Sequence, residues 1–263
     1  MKQRVITAVV ALAIFIPLCF LGGISFNILI VLMGLVGTSE LLMMKKKLLV
    51  SAEAILSYLL TAVFLLPSAW LTFLPRGISR NDLAYFLILL FLLETVFTKN
   101  RFTFDDAGAL VLGSIFVGSG FHYMMAARAN SVWMLFFALL IVWITDSGAY
   151  MVGRKLGKNK LAVHISPNKT WEGSIGGTLA ATLLVGIYVF FFQAHFTYSL
   201  PLMLLLVLLL SVAGQLGDLV ESAYKRYFSV KDSGKILPGH GGILDRFDSI
   251  MFVLPLMHFA GLI

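Results

Sequence analysis

Ser222-Ala-Tyr-Lys-Arg-Tyr-Phe-Ser-Val-Lys-Asp-Ser-Gly-Lys-Ile-Leu-Pro-Gly-His-Gly-Gly-Ile-Leu-Asp-Arg-Phe-Asp248 follows one strongly apolar run, Leu200–Val220, and leads into another, Ile243–Ile263. It holds three Asp, two Arg, one His and four Gly. Charged, glycine-rich sequence set against membrane-spanning sequence is costly to fold, so its presence points to function. The flanking runs point to the fold.

Hydrophobic residues make up 59% of the 263 and charged residues 13%, with mean hydropathy +0.94. A soluble domain carries roughly 25% charged residues, so the chain reads as an integral membrane protein. Each span needs about 20 apolar residues. Runs of that kind lie at Val5–Leu21, Ile24–Met44, Ala54–Leu74, Leu83–Phe97, Ala107–Met125, Ser131–Val152, Ser174–Phe192, Leu200–Val220 and Ile243–Ile263. The fourth is short and carries Glu94. The expectation is an all-α polytopic bundle of about nine transmembrane helices. It forms one domain over residues 1–263, with no repeat and no linker. Met1-Lys-Gln-Arg before an apolar run imitates a signal peptide, but no small-residue cleavage site follows, so it reads as an uncleaved first span. The single cysteine, Cys19, allows no intrachain disulfide.

Loop charge orients the bundle. Seventeen of the 20 basic residues fall on one side: Lys2, Arg4, Lys45–Lys47, Lys99, Arg101, the group from Arg154 to Lys169, and the group from Lys225 to Arg246. The other side holds Arg76, Arg80 and Arg128. Basic loops stay in the cytoplasm, which puts the N-terminus inside and the C-terminus outside. The same distribution explains the net charge of +7 without any nucleic-acid partner.

Glu40, Glu94, Asp146, Asp218 and Glu221 all fall in the inner halves of their spans, and Asp245 and Asp248 open the last one. Acids at bilayer depth face a cavity, a partner or a metal, so a single cavity open to the cytoplasm is expected. Asp218 and Glu221 are three apart, as are Asp245 and Asp248, and residues at that spacing share a helix face. Two arrangements fit. One is an all-oxygen site for a hard cation such as Mg²⁺ or Mn²⁺. The other is a salt-bridge network with Lys225, Arg226 and Arg246. Gly239, Gly241 and Gly242 allow positive φ and close approach, the means by which a backbone cradles phosphate beside Lys231 and His240. In Ser166-Pro-Asn-Lys-Thr-Trp-Glu172, Thr170 is expected to cap the seventh span, and Lys169 to meet an anion. A transporter would place its ionisable groups near the midplane of two repeated halves, which this chain lacks. A scaffold would need no clustered carboxylates.

Ser222, Lys225-Arg226, Lys231-Asp232, Gly234, Leu237, His240-Gly-Gly242, Asp245-Arg246 and Asp248 resemble, at matching spacings, the signature of the phosphatidate cytidylyltransferases (CDP-diacylglycerol synthases). Asp146-Ser-Gly-Ala-Tyr150, Gly153-Arg154, Ser166–Gly173 and Gly217–Ser222 also look like segments of that family. The likeness is specific over residues 143–250 and weak over 1–142; Tyr224 departs from it, standing where an apolar residue is usual. The resemblance implies condensation of CTP with phosphatidic acid to give CDP-diacylglycerol and pyrophosphate. It implies Mg²⁺ on Asp218, Asp245 and Asp248, and phosphate contacts from Lys169, Lys225, Arg226, Lys231 and Arg246. It further implies substrate-binding roles for Asp146, Asn168, Glu172, Glu221, Asp232, His240, Gly241 and Gly242. The setting would be the lipid bilayer of a bacterial inner membrane, with the site facing the cytoplasm; pairing as a homodimer is left open.

The charge division yields a topology test. A reporter fused after Ile263 is expected to be active only when it functions outside the cytoplasm. A reporter active only in the cytoplasm would overturn the nine-span arrangement.

Overall fold

The computed structural model describes residues 2–72, 75 and 77–263. Its helices are α1 (Lys2–Leu21), α2 (Gly23–Met44), α3 (Ala52–Leu65), α4 (Arg80–Phe97), α5 (Phe104–Asn130), α6 (Val132–Leu156), α7 (Trp171–Phe191), α8 (Leu200–Tyr227), α9 (Leu244–Phe247) and α10 (Ile250–Phe259). Every expected span lands on a helix. Six of them, α1, α2, α5, α6, α7 and α8, are long and apolar enough to cross a membrane. Helices α3 and α10 are apolar but shorter, and α4 carries Arg80, Asp82 and Glu94. The all-α expectation needs one amendment. Strands β1 (Lys160–Ala162) and β2 (Ser166–Thr170) pair antiparallel as a small hairpin between α6 and α7.

Local chemistry sets the helix ends. Ser51, Ser131 and Thr170 each accept a hydrogen bond from a first-turn amide, and Ser79 with Asp82 forms a reciprocal capping box. The third expected span, Ala54–Leu74, is cut short. Pro67 holds Leu66 in an extended conformation, so α3 stops at Leu65 and Pro67 does not kink a helix. Pro17 and Pro255, by contrast, lie inside helices. Phe73, Leu74 and the outer-loop Arg76 lie outside the described residues.

The contacts divide into two compact units, Met1–Met125 with Asp232–Asp245, and Ala126–Lys231 with Arg246–Ile263. In the first, Lys45 and Lys47 hold Asp106 at 2.5 and 2.7 Å, joining the end of α2 to the start of α5. At that unit's opposite end, Arg80 donates to the Leu66 carbonyl at 2.6 Å, joining α4 to the end of α3. A buried hydroxyl pair, Thr38 and Thr61 at 2.8 Å, ties α2 to α3.

In the second unit, Trp133 at the start of α6 stacks on Phe192 beyond α7, with ring centroids 4.3 Å apart. Tyr198, just before α8, donates to Ala260 just after α10. In each unit, side chains thus fasten helix ends to one another. Between α6, α7 and α8 runs a buried polar chain. Thr145 and Ser211 lie 2.7 Å apart, Ser211 donates to Thr178 at 3.2 Å, and Gln215 donates to Thr178 at 2.9 Å.

Helices α6 and α7 approach too closely for side chains at their crossing. A Cβ on Gly177 would stand 2.5 Å from the Thr145 carbonyl oxygen and 2.9 Å from the Ala149 nitrogen, both backbone atoms that cannot step aside. Small residues at such crossings are how membrane helices gain dispersion contacts when solvent does not drive them together. Gly177→Ala is therefore expected to destabilise the protein by about 1–3 kcal/mol, the usual range for overpacking. Gly108→Ala on α5, where a Cβ meets nothing within 4 Å, should leave the melting temperature in detergent unchanged or higher. Equal effects from the two would refute the packing account.

Candidate active site

Asp218, Glu221, Ser222 and Lys225 line one face of the C-terminal half of α8, spaced three and four residues apart. Lys169, delivered by β2, places its Nζ 2.7 Å from Asp218 Oδ2. Ser222 donates to Asp218 Oδ1 at 3.2 Å. One turn on, Lys225 Nζ lies 2.5 Å from the buried carboxylate of Glu221. For Glu221 and Lys225 the salt-bridge arrangement is thus the one observed.

Two further carboxylates join this face. Asp248, before α10, accepts from the Ser249 amide at 2.6 Å and lies within hydrogen-bonding reach of Glu221. It can come so near α8 because residue 217 is glycine: a Cβ there would stand 2.9 Å from the Asp248 carbonyl oxygen. Asp146 on α6 feels the negative field of Asp218 and the positive fields of Lys169 and Arg246, and Asp248 also feels Asp218 and Asp146. Four acids and three bases from α6, β2, α8 and the segment from Arg246 to Asp248 therefore form one electrostatic group in the second unit. The donors are all carboxylate oxygens, the chemistry a hard cation selects. Among the described residues, however, no three acidic, His or Cys side chains stand together as an ion-holding set. Asp218 is instead held by Lys169.

The hairpin that carries Lys169 is fastened at several points. Glu172, in the first turn of α7, accepts from the Lys158 and Asn159 amides at 3.1 Å and from Asn159 Nδ2 at 2.7 Å. Thr170 caps α7 through the Gly173 amide at 3.1 Å, as expected. Arg226 donates to the carbonyls of Ile165 and Val230, both at 3.3 Å. Glu172 and Arg226 are thus engaged in holding loop backbone. Lys231, Asp232 and Asn168 are exposed, and among the described residues none is drawn into an ion pair or side-chain hydrogen bond.

Asp245 lies in the first unit. Its Oδ2 accepts from the Ser233 amide and the Gly242 amide, each at 2.8 Å, and stands 2.9 Å from the Ser233 hydroxyl. Gly239 and Gly241 adopt positive φ, the left-handed conformations anticipated for them. They close a tight turn in which the Leu237 amide donates to Gly241 and the His240 amide to Leu237. His240 Nδ1 is buried there and makes no hydrogen bond. Gly242, read from sequence as part of a phosphate cradle, has its amide committed to Asp245. Two residues receive no site role from sequence. Asn159 gives no signal at all. Glu40 stands out as an acid within an apolar span, but its partners lie nearly two hundred positions away.

Comparison with known proteins accords with the motifs. The profile of the cytidylyltransferase family matches residues 2–263. A phosphatidate cytidylyltransferase of Bacillus subtilis (strain 168) is 50% identical over 262 residues, covering 98% of this chain and 97% of the relative. One from Staphylococcus haemolyticus is 46% identical over 258 residues, covering 98% of both. With Asp146, Lys169, Asp218 and Asp248 gathered in one unit and likeness running the length of the chain, the protein belongs to the cytidylyltransferase family, among the phosphatidate cytidylyltransferases.

Proposed function

We propose that the protein joins CTP to phosphatidic acid at the inner face of the membrane, forming CDP-diacylglycerol and releasing pyrophosphate. The observation that carries this is the Lys169–Asp218 pair with Asp146, Asp248 and Arg246 around it. It joins anion-binding cations and cation-binding carboxylates, the combination phosphoryl chemistry needs. In this reading a phosphate of CTP takes Lys169 from Asp218, so nucleotide binding exchanges one anion for another on the same ammonium. Asp218 is then released to act as a metal ligand. Asp218 and Asp248 would hold Mg²⁺, or Mn²⁺ in its place, which when bound supplies positive charge to the reacting phosphates. Asp245 is included in that set on the resemblance alone. Lys231, exposed just ahead of the glycine loop in sequence, and Arg246 are proposed as phosphate ligands, with Asn168 presented near Lys169 by the hairpin.

A lipid phosphate oxygen attacks the α-phosphorus of CTP. The new P–O bond forms as the bond to the β-phosphate oxygen breaks, and pyrophosphate leaves with that electron pair. The attacking monoester is already ionised near neutral pH, so alignment and charge neutralisation suffice. We place the site on the cytoplasmic side of a bacterial inner membrane, in a chain that crosses nine times. The division of basic residues between the loops supports that topology.

Purified protein given CTP and phosphatidic acid should release pyrophosphate only when a divalent cation is present. Failure with both substrates and Mg²⁺ would defeat the reading. Asp218→Asn and Asp248→Asn should each lower turnover by roughly 100-fold or more while the melting temperature stays near that of the parent. Lys169→Gln keeps most of the side-chain stem but loses the cation, so it should raise KM for CTP; an unchanged KM with lower stability would make Lys169 structural. Direct transfer also forbids exchange of labelled pyrophosphate into CTP unless phosphatidic acid or CDP-diacylglycerol is present. Rapid exchange without any lipid acceptor would mean a nucleotidyl-enzyme, with His240 the first residue to examine.

A further inference from the structure

Glu40 is the one charged residue of α2, only 1% exposed, and the chemistry above makes no use of it. Both of its oxygens are occupied by the glycine-rich loop of its own unit. Oε1 accepts from the Ile243 amide at 2.7 Å, and Oε2 accepts from the Leu244 amide and the Ser233 hydroxyl, each at 2.9 Å. The same Ser233 hydroxyl lies 2.9 Å from Asp245 Oδ2, and its single proton serves one carboxylate at a time. Glu40 and Asp245 are thereby linked through one side chain.

The loop is also shaped to receive this group. A Cβ on Gly234 would stand 2.6 Å from Glu40 Oε1 and 2.8 Å from its Cδ and Cγ, and a Cβ on Gly242 would also collide with that carboxyl group. Neither glycine has positive φ, so space and not backbone conformation requires glycine at these two places. A plain packing role would be met by any side chain of that size. Convergence of three donors on both oxygens calls for an anion, since a glutamine would turn its NH₂ toward one set of N–H groups.

We propose that Glu40 is a positioning residue of the reaction: through Ser233 and the Ile243 and Leu244 amides it fixes the seat of the 232–245 loop and with it the Asp245 carboxylate. The proposal rests on the transferase reading above. Glu40 touches no substrate in it, and its effect passes through the loop.

The test compares the full-length parent with Glu40→Gln, Glu40→Asp, Gly234→Ala and the double variant Glu40→Asp/Gly234→Ala. It measures melting temperature, amide hydrogen exchange, and kcat and KM for CTP. Glu40→Gln should speed exchange at Ile243 and Leu244 by about 10-fold or more while α6, α7 and α8 keep their protection. Misplacement on the ångström scale costs roughly 100-fold in rate, so kcat should fall toward that extent with KM for CTP little changed. Gly234→Ala should harm the parent more than it harms Glu40→Asp, whose shorter side chain leaves room for the methyl. It also asks the question from the loop side should Glu40→Gln fail to accumulate. Unchanged kcat and unchanged loop exchange in Glu40→Gln would overturn the proposal. So would a loss of kcat matched by loss of protection throughout the protein, or additive effects in the double variant. If the parent itself turned over no CTP, the transferase reading would fall, while the exchange and additivity measurements would still judge the clamp.

Discussion

A carboxylate withdrawn from water must be met by donors or cations, and much of this structure follows from how that demand is satisfied in a chain with few polar groups to offer. Asp218 is met by Lys169 and Ser222, Glu221 by Lys225, Asp106 by two lysines, and Glu40 and Asp245 by backbone amides and one serine. Each answer reaches across elements that are distant in sequence or stacks along one helix face. The acids therefore fix which segments stand together, and the apolar surfaces, which are interchangeable by comparison, fill in around them. Hydrogen bonds between membrane helices are individually modest, averaging about 0.6 kcal/mol, so specificity of placement is their larger contribution.

The division of labour among the charged residues is informative. Glu172 and Arg226 are spent on loop backbone, and Lys225 on a buried acid in its own helix. Lys169 is different in kind. Its partner is a partly exposed carboxylate on another element, which an incoming phosphate can replace. Residues that look alike in a motif, several lysines and arginines in short loops, thus separate into those that build the site and those left able to exchange partners.

Much of this was legible in the sequence, and for identifiable reasons. Apolar runs located every long helix because hydrocarbon tolerates no unsatisfied backbone, so length and hydropathy nearly determine structure there. Thr170 as a cap and Gly239 and Gly241 with positive φ were legible because those preferences are local. The early stop of α3 went unread: the apolar run continues to Leu74, and the restriction that Pro67 places on the residue before it outweighs that run. The hairpin at Lys160–Thr170 escaped because its strands are short, three and five residues, and carry no alternating pattern, while Glu172 and Asn159, which fasten its base, give no strand signal. Glu40 was visible as an anomaly but not as a clamp, since nothing at position 40 announces donors at 233, 243 and 244.

That separation along the chain has a consequence for biogenesis. Ser233 follows Glu40 by 193 positions. Chains grow slowly enough that about 10–40 s of synthesis pass between the two. For that interval α2 presents an acid whose eventual partners do not yet exist. The helix must keep Glu40 near the aqueous boundary or carry it as the neutral acid, and only arrival of the late loop completes its surroundings. Helix α2 is therefore finished by a segment made much later, so maturation of its surroundings waits on synthesis of the 232–245 loop.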